Sequence, residues 1–96
     1  MVAMNDIQQR RDEILRVADA HGARNVRVFG SVARGEASET SDLDLLVHFD
    51  TDRSLLDHVA LMRELEDLLG CRVEVVPDTA LHQRIRDRVL AEGEPL

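Results

Sequence analysis

The 96-residue chain contains no Trp, no Tyr and only two Phe, so any core must be packed from aliphatic side chains. Lysine is missing too: all twelve basic residues are Arg. A single cysteine, Cys71, excludes an intrachain disulfide and suits a reducing, cytoplasmic setting. An isolated Cys at a strand start is more often a small core residue than a nucleophile. No apolar stretch approaches membrane-spanning length, and the opening M-V-A-M-N-D lacks a basic region followed by an apolar run, so neither a span nor a signal peptide is expected. Positive charge is in short supply. The net charge of -7 argues against extended nucleic-acid binding, where affinity comes from neutralising phosphates. Repeats and low-complexity tracts are absent as well. What is present, 44% hydrophobic residues over 96 positions, is enough for one modest core, and residues 1–96 read as a single domain.

The chemistry is concentrated between Val26 and Asp50. Val26, Val28 and Phe29 make a short apolar strand, and Gly30-Ser31 follows at once. Glycine there lets the backbone approach a ligand, N–H groups at the start of a helical turn attract anions, and Ser31 adds a hydroxyl donor. Arg34, three residues on, falls on the same side of a helical turn and offers a fork to phosphate oxygens. A second strand opens near Ser41. Side chains alternate along it, so Asp42 and Asp44 project from one side, where Leu43, Leu45 and Val47 do not. Two adjacent carboxylates raise each other's ionisation cost unless a cation neutralises them, and an all-oxygen donor set suits Mg²⁺. A bare Gly-Ser is a routine turn and a bare D-x-D is common. Their combination is much rarer by chance.

Gly30-Ser31-Val32-Ala33-Arg34-Gly35 followed by Ser41-Asp42-Leu43-Asp44-Leu45-Leu46-Val47 resembles the G-S-x-A-R-G…S-D-x-D-L-L-V signature of the DNA polymerase beta-like nucleotidyltransferases. More narrowly, it is similar to the minimal nucleotidyltransferase (MNT) antitoxins that accompany HEPN-domain toxins. The resemblance covers nearly the whole chain and implies an α/β nucleotidyltransferase fold in which Asp42 and Asp44 hold two Mg²⁺ ions. It further implies that Gly30 and Ser31, with Arg34 and Ser41 as further contacts, hold ATP. It makes Glu74 the third catalytic and metal-binding carboxylate, where the commoner pattern has Asp. The implied activity is transfer of AMP from ATP onto a hydroxyl of a cognate HEPN-type RNase toxin. The acceptor is expected to be delivered by another protein, because this chain has no Tyr of its own and little surface for a deep acceptor pocket, and the resemblance implies a tyrosine of the toxin. Two alternatives stay open: a catalytically weak antitoxin that binds and occludes the toxin, and a small-molecule nucleotidyltransferase.

The remaining segments read as scaffold in the order α-β-α-β-α-β-α, a small mixed sheet flanked by helices. A first helix runs from about Asp6 to Ala20, capped by Asn5 and stopped by Gly22, with Ile7, Ile14, Leu15 and Ala18 inward and Arg10 among a solvated charged face. His21 is expected at its last carbonyls. Val32 to Ala37 form a short helical turn. Ser54 caps a helix to Leu69 whose stripe is Leu55, Val59, Met62, Leu65 and Leu69, with Leu56 and Leu68 beside it and His58 on its flank. Gly70 closes that helix and Arg72–Val76 make the third strand. Glu74 emerges opposite Val73 and Val75 and reaches the two aspartates if strands two and three are neighbours. Asp78 or Thr79 caps a last helix with Leu81, Ile85 and Val89 inward, and Gly93 and Pro95 mark a frayed tail.

Overall fold

A computed structural model describes residues 3–96; Met1 and Val2, part of the stretch read for a leader, lie outside the described residues. The first helix is two helices, α1 (Met4–Gln9) and α2 (Arg11–Ala20), which meet at Arg10, where the backbone (φ -106°, ψ 17°) leaves the helical region. The N-cap position is Ala3, not Asn5, and the Asp6 carboxylate accepts a hydrogen bond from its N–H at 3.1 Å. Nor is Arg10 merely solvated. Its guanidinium donates to the Leu68 carbonyl at 2.6 Å, satisfying an orphan acceptor in the last turn of a later helix. His21 likewise reaches away from its own helix to Glu64, at 2.5 Å.

The sheet has the order β3-β2-β1-β4, built from β1 (Ala23–Phe29), β2 (Leu43–Phe49), β3 (Val73–Pro77) and β4 (Glu94–Pro95). The central pair β1–β2 is antiparallel, β2–β3 parallel and β1–β4 antiparallel, so the expected mixed sheet is present. One face carries Val26, Val28, Leu43, Leu45, Val47, Val73 and Val75 into a core with Ile14 and Ala18 of α2 and Leu61 and Leu65 of α4 (Leu55–Leu69). Fully burying each of the Val, Leu and Ile side chains contributes about 1.5–3 kcal/mol. The core is entirely aliphatic, as the missing aromatics require. On the other face lie Arg27, Phe29, Asp44, Leu46 and Glu74.

β1 carries one residue more than its partner. Arg24 lies opposite His48 and Arg27 opposite Leu46, so three steps on β1 span two on β2. The extra residue is absorbed at Asn25, which adopts φ +54°, a left-handed conformation that Asn tolerates better than most residues.

The stripe of α4 differs from the sequence reading. Leu61 is completely buried, whereas Leu55 and Leu56 in the first turn are 73% and 81% exposed and lie outside the core. His58 is half-buried, its Nε2 2.6 Å from the Val75 carbonyl and its ring against Phe49. Gly70 ends the helix at φ +66°, as expected of a left-handed cap. The helical turn after β1, α3 (Gly30–Ala33), begins two residues earlier than expected and is shorter.

After β3, a 3₁₀ turn over Asp78–Ala80 precedes α5 (Gln83–Glu92), whose N-cap position is His82 and not Asp78 or Thr79. Asp78 is unavailable as a cap because both its oxygens lie 3.1 Å from His48 Nδ1. No α5 side chain is buried, and Ile85, expected inward, is exposed. The tail is not frayed. Glu94 and Pro95 pair with Val28 and Arg27, and the Leu96 N–H donates to the Val26 carbonyl at 2.9 Å. Among the described residues no helix is long and apolar enough to cross a membrane.

Candidate functional site

β1 turns into α3 at Gly30, which adopts φ +72°, a conformation natural only to glycine. Space gives a second reason for glycine there: a Cβ at this position would collide with Oδ2 of Asp44. The Gly-Ser turn and the second aspartate are therefore packed directly on each other, the arrangement that a phosphate cradle beside a metal carboxylate demands.

Asp44 faces Phe29 across β1–β2 and Glu74 across β2–β3. The parallel register thus sets the two carboxyl groups in one row, where the charge of each bears on the other. Burial first, then the charge and hydrogen bond of Glu74, then the charge of Asp42, push the Asp44 carboxyl up to about 6, while Arg34 opposes the shift. A partly buried carboxylate with two others beside it is costlier to ionise, so the raised value follows from the row itself.

Asp42 stands just before β2, whose first residue is Leu43, so the strand begins later than the expected Ser41. Its Oδ1 lies 3.7 Å from Arg72 Nε. Among the described residues, no three His, Cys, Asp or Glu side chains are gathered around one ion-sized point. The donor set nevertheless suits a hard divalent cation: oxygen atoms only, on adjacent backbone positions, with mutual repulsion that a cation would relieve.

Arg34 follows α3 and pairs with Glu36, Nε to Oε2 at 3.0 Å, in an exposed position close enough to Asp44 to influence its charge. Ser31 is half-buried, and its carbonyl accepts from the Glu36 N–H at 2.8 Å. Ser41 Oγ accepts from the Ser38 N–H at 2.9 Å and lies 3.2 Å from Ser38 Oγ, so it organises the loop. That loop and the Gly70–Arg72 segment enclose a cleft of about 440 Å³ with Asp42 on its wall. Arg72 is the residue at this site that sequence reading missed; its place beside Asp42 comes from the β2–β3 pairing, which no local pattern reveals. Cys71, whose thiol is pushed up first by burial, is unsuited to act as a nucleophile.

The family described as nucleotidyltransferase domain matches residues 12–95. The protein adenylyltransferase MntA of Thermococcus cleftensis is 48% identical over 71 residues, 74% of this chain and 72% of that protein. A solved structure provisionally named a minimal nucleotidyltransferase superimposes with a TM-score of 0.90 at 52% identity, covering 99% of this chain and 97% of the other. The fold is also shared, at a TM-score of 0.69 and 17% identity, with a chain in the complex of a tri-AMPylated Shewanella oneidensis HEPN toxin and MNT antitoxin; 92% of this chain and 69% of that one are covered.

Proposed function

Because the chain belongs to the nucleotidyltransferase domain family, we propose that it is an antitoxin that transfers AMP from ATP onto a hydroxyl of a cognate HEPN-type RNase toxin, a tyrosine first, and thereby neutralises it. The naming of a 48% identical relative as a protein adenylyltransferase supports the activity. The HEPN toxin in complex with an antitoxin of the same fold supports the partner. The observation that carries the reading is the direct packing of Gly30 on Asp44, with Glu74 in the same row.

Asp42 and Asp44, with Glu74, would hold two Mg²⁺ ions, which when bound supply positive charge at the reacting phosphate. Gly30 and Ser31 present backbone N–H groups and a hydroxyl to the β and γ phosphates, and Arg34 adds a guanidinium from the same side. Ser41 keeps the loop beside the cleft in one shape. The acceptor oxygen attacks the α-phosphorus, the bond to pyrophosphate breaks with its electron pair leaving on pyrophosphate, and Glu74 accepts the hydroxyl proton. The toxin brings its own hydroxyl and so contributes most of the positioning.

The test is to incubate the protein with ATP, Mg²⁺ and the toxin encoded beside it, then weigh the intact toxin. Whole AMP increments that vanish with Asp42→Asn are expected. A toxin that is neutralised in the complex yet never gains mass would leave occlusion as the mode of action.

A further inference from the structure

Arg72 has been given no part in the chemistry, yet the strand pairing sets it against a site carboxylate. In the parallel register of β2 and β3, Asp44 lies opposite Glu74, and nearer the start of the strands the Leu43 N–H donates to the Arg72 carbonyl at 2.9 Å. Side chains alternate along each strand, so Asp42 and Arg72 share the face of Asp44 and Glu74, two residues or about 7 Å closer to the open end of the sheet. The inner row sets carboxyl against carboxyl. The outer row sets carboxylate against guanidinium.

The backbone of Arg72 is fixed while its side chain is free. Leu43 holds its carbonyl and the following N–H, that of Val73, donates to Glu66 Oε2 at 3.1 Å, but the side chain is 85% exposed. Its Nε lies 3.7 Å from Asp42 Oδ1, beyond hydrogen-bond length. An exposed pair of this kind is weak, and a divalent cation that takes Asp42 as a ligand outcompetes it. The arginine also has somewhere else to go. It lines the cleft of about 440 Å³ beside Asp42, and the other carboxylate on the wall of that cleft is Glu39, an exposed residue of the loop before β2.

We propose that Arg72 is a two-position positioning residue: its guanidinium stands in for the cation on Asp42 in the metal-free protein and passes to Glu39 when a divalent cation takes its place. The inference rests on the metal site of the adenylyl-transfer reading above and concerns how that site loads. A guanidinium and a dication on one carboxylate repel each other, so loading moves the arginine. Its backbone is held by the ladder and by Glu66, so the side chain alone swings, and Glu39 is the carboxylate that the cleft offers it. Two consequences follow. Arg72 weakens the binding of a free cation, because its own pairing with Asp42 must first be broken. Once displaced, it ties the loop before β2 to the start of β3 across the cleft, so the loaded site gains a fixed wall beside Asp42.

The experiment titrates Mg²⁺, without nucleotide, into the natural protein, Arg72→Gln, Arg72→Lys, Glu39→Gln and the double variant Arg72→Gln/Glu39→Gln, and follows the arginine Nε–H signals by NMR. Both side chains are exposed, so the variants keep the fold. The Arg72 signal, identified by its loss in Arg72→Lys, is expected to move as Mg²⁺ binds the natural protein and to move differently in Glu39→Gln. Arg72→Gln should bind Mg²⁺ about threefold more tightly, with Arg72→Lys in between. Glu39→Gln should bind more weakly, and that loss should vanish in the double variant, the non-additivity expected of two side chains in contact. An Arg72 signal that stays still, natural affinity in Arg72→Gln, or a Glu39→Gln effect undiminished without Arg72 overturns the proposal. Mg²⁺ binding that Asp42→Asn abolishes but that is indifferent to Arg72 sinks the stand-in and leaves the metal site standing. A natural protein that binds no Mg²⁺ overturns the metal site and the stand-in together.

Discussion

A carboxyl that titrates near 6 in the folded chain and at its ordinary 3.8 in the unfolded one makes stability depend on pH in a definite direction. The folded state binds the proton more tightly, so this contribution is complete below about 3.8 and is lost as pH rises through about 6. Asp44→Asn should therefore raise the metal-free melting temperature at pH 8 and leave it unchanged at pH 4. Because the group is partly exposed, the gain should be on the order of 1 kcal/mol or less, a few degrees for a domain of this size. Thermal melts at the two pH values check this, and an equal difference at both would place the destabilisation elsewhere. Added Mg²⁺ should stabilise the natural protein and not the variant. Glu74→Gln keeps the shape and removes the base, so transfer should fall roughly a hundredfold while the pH 8 melting temperature rises slightly. Gly30→Ala forces both a left-handed alanine and a collision with Asp44; a loss of about 1–3 kcal/mol is expected, with transfer lost as well, read by melting and by toxin mass. Local spacing alone singled out Gly30, Ser31, Asp42 and Asp44 as candidates, whereas Glu74 depended on strand three lying beside strand two. Arg72 and the engagement of Asp78 were not legible, since both depend on which strand lies next to which.

The elements were legible wherever a periodic run and a chemical stop coincided. α4 begins at Ser54, where the Asp57 carboxylate accepts the Ser54 N–H at 3.0 Å, and ends at a left-handed Gly70. Its bounds followed from those signals. Its buried stripe did not, because leucines occupy several adjacent lines of the helix and only packing selects Leu61 and Leu65. Leu61→Ala should cost about 2–5 kcal/mol, and Leu56→Ala should stay within about 0.5 kcal/mol of the natural protein in urea unfolding. Similar costs for the two would mean that the exposed first turn is not exposed in solution. The break at Arg10 was hidden for another reason. Nothing in the local sequence stops a helix there, and the arginine is drawn to the Leu68 carbonyl of a helix 58 residues away.

For the molecule as a whole, the fold class could be read from the alternation of runs, but the fourth strand could not. Two residues carry no pattern, and Glu94 and Pro95 are strand only because β1 offers them an edge. Pro95 suits that outer position, where one side needs no ladder donor. Removing residues 93–96 should leave β1 with an open edge at Val28, seen as faster amide exchange there and as self-association in light scattering. The extra residue at Asn25 has a different implication, one about tolerance to changes in length. Losing one residue inside a strand ordinarily turns everything beyond it to the wrong side. At position 25 the loss would restore strict alternation instead: Ala23, Val26 and Val28 would still point into the core, and Arg24 would run on to Arg27 without a shift against β2. A one-codon deletion there should keep Gly30 against Asp44 and adenylyl transfer intact. The same deletion at Arg27 would carry Val28 out of the core and the glycine turn off the carboxylates. The middle of the central strand, usually the least forgiving stretch of a sheet, thus contains one position at which the chain can be shortened.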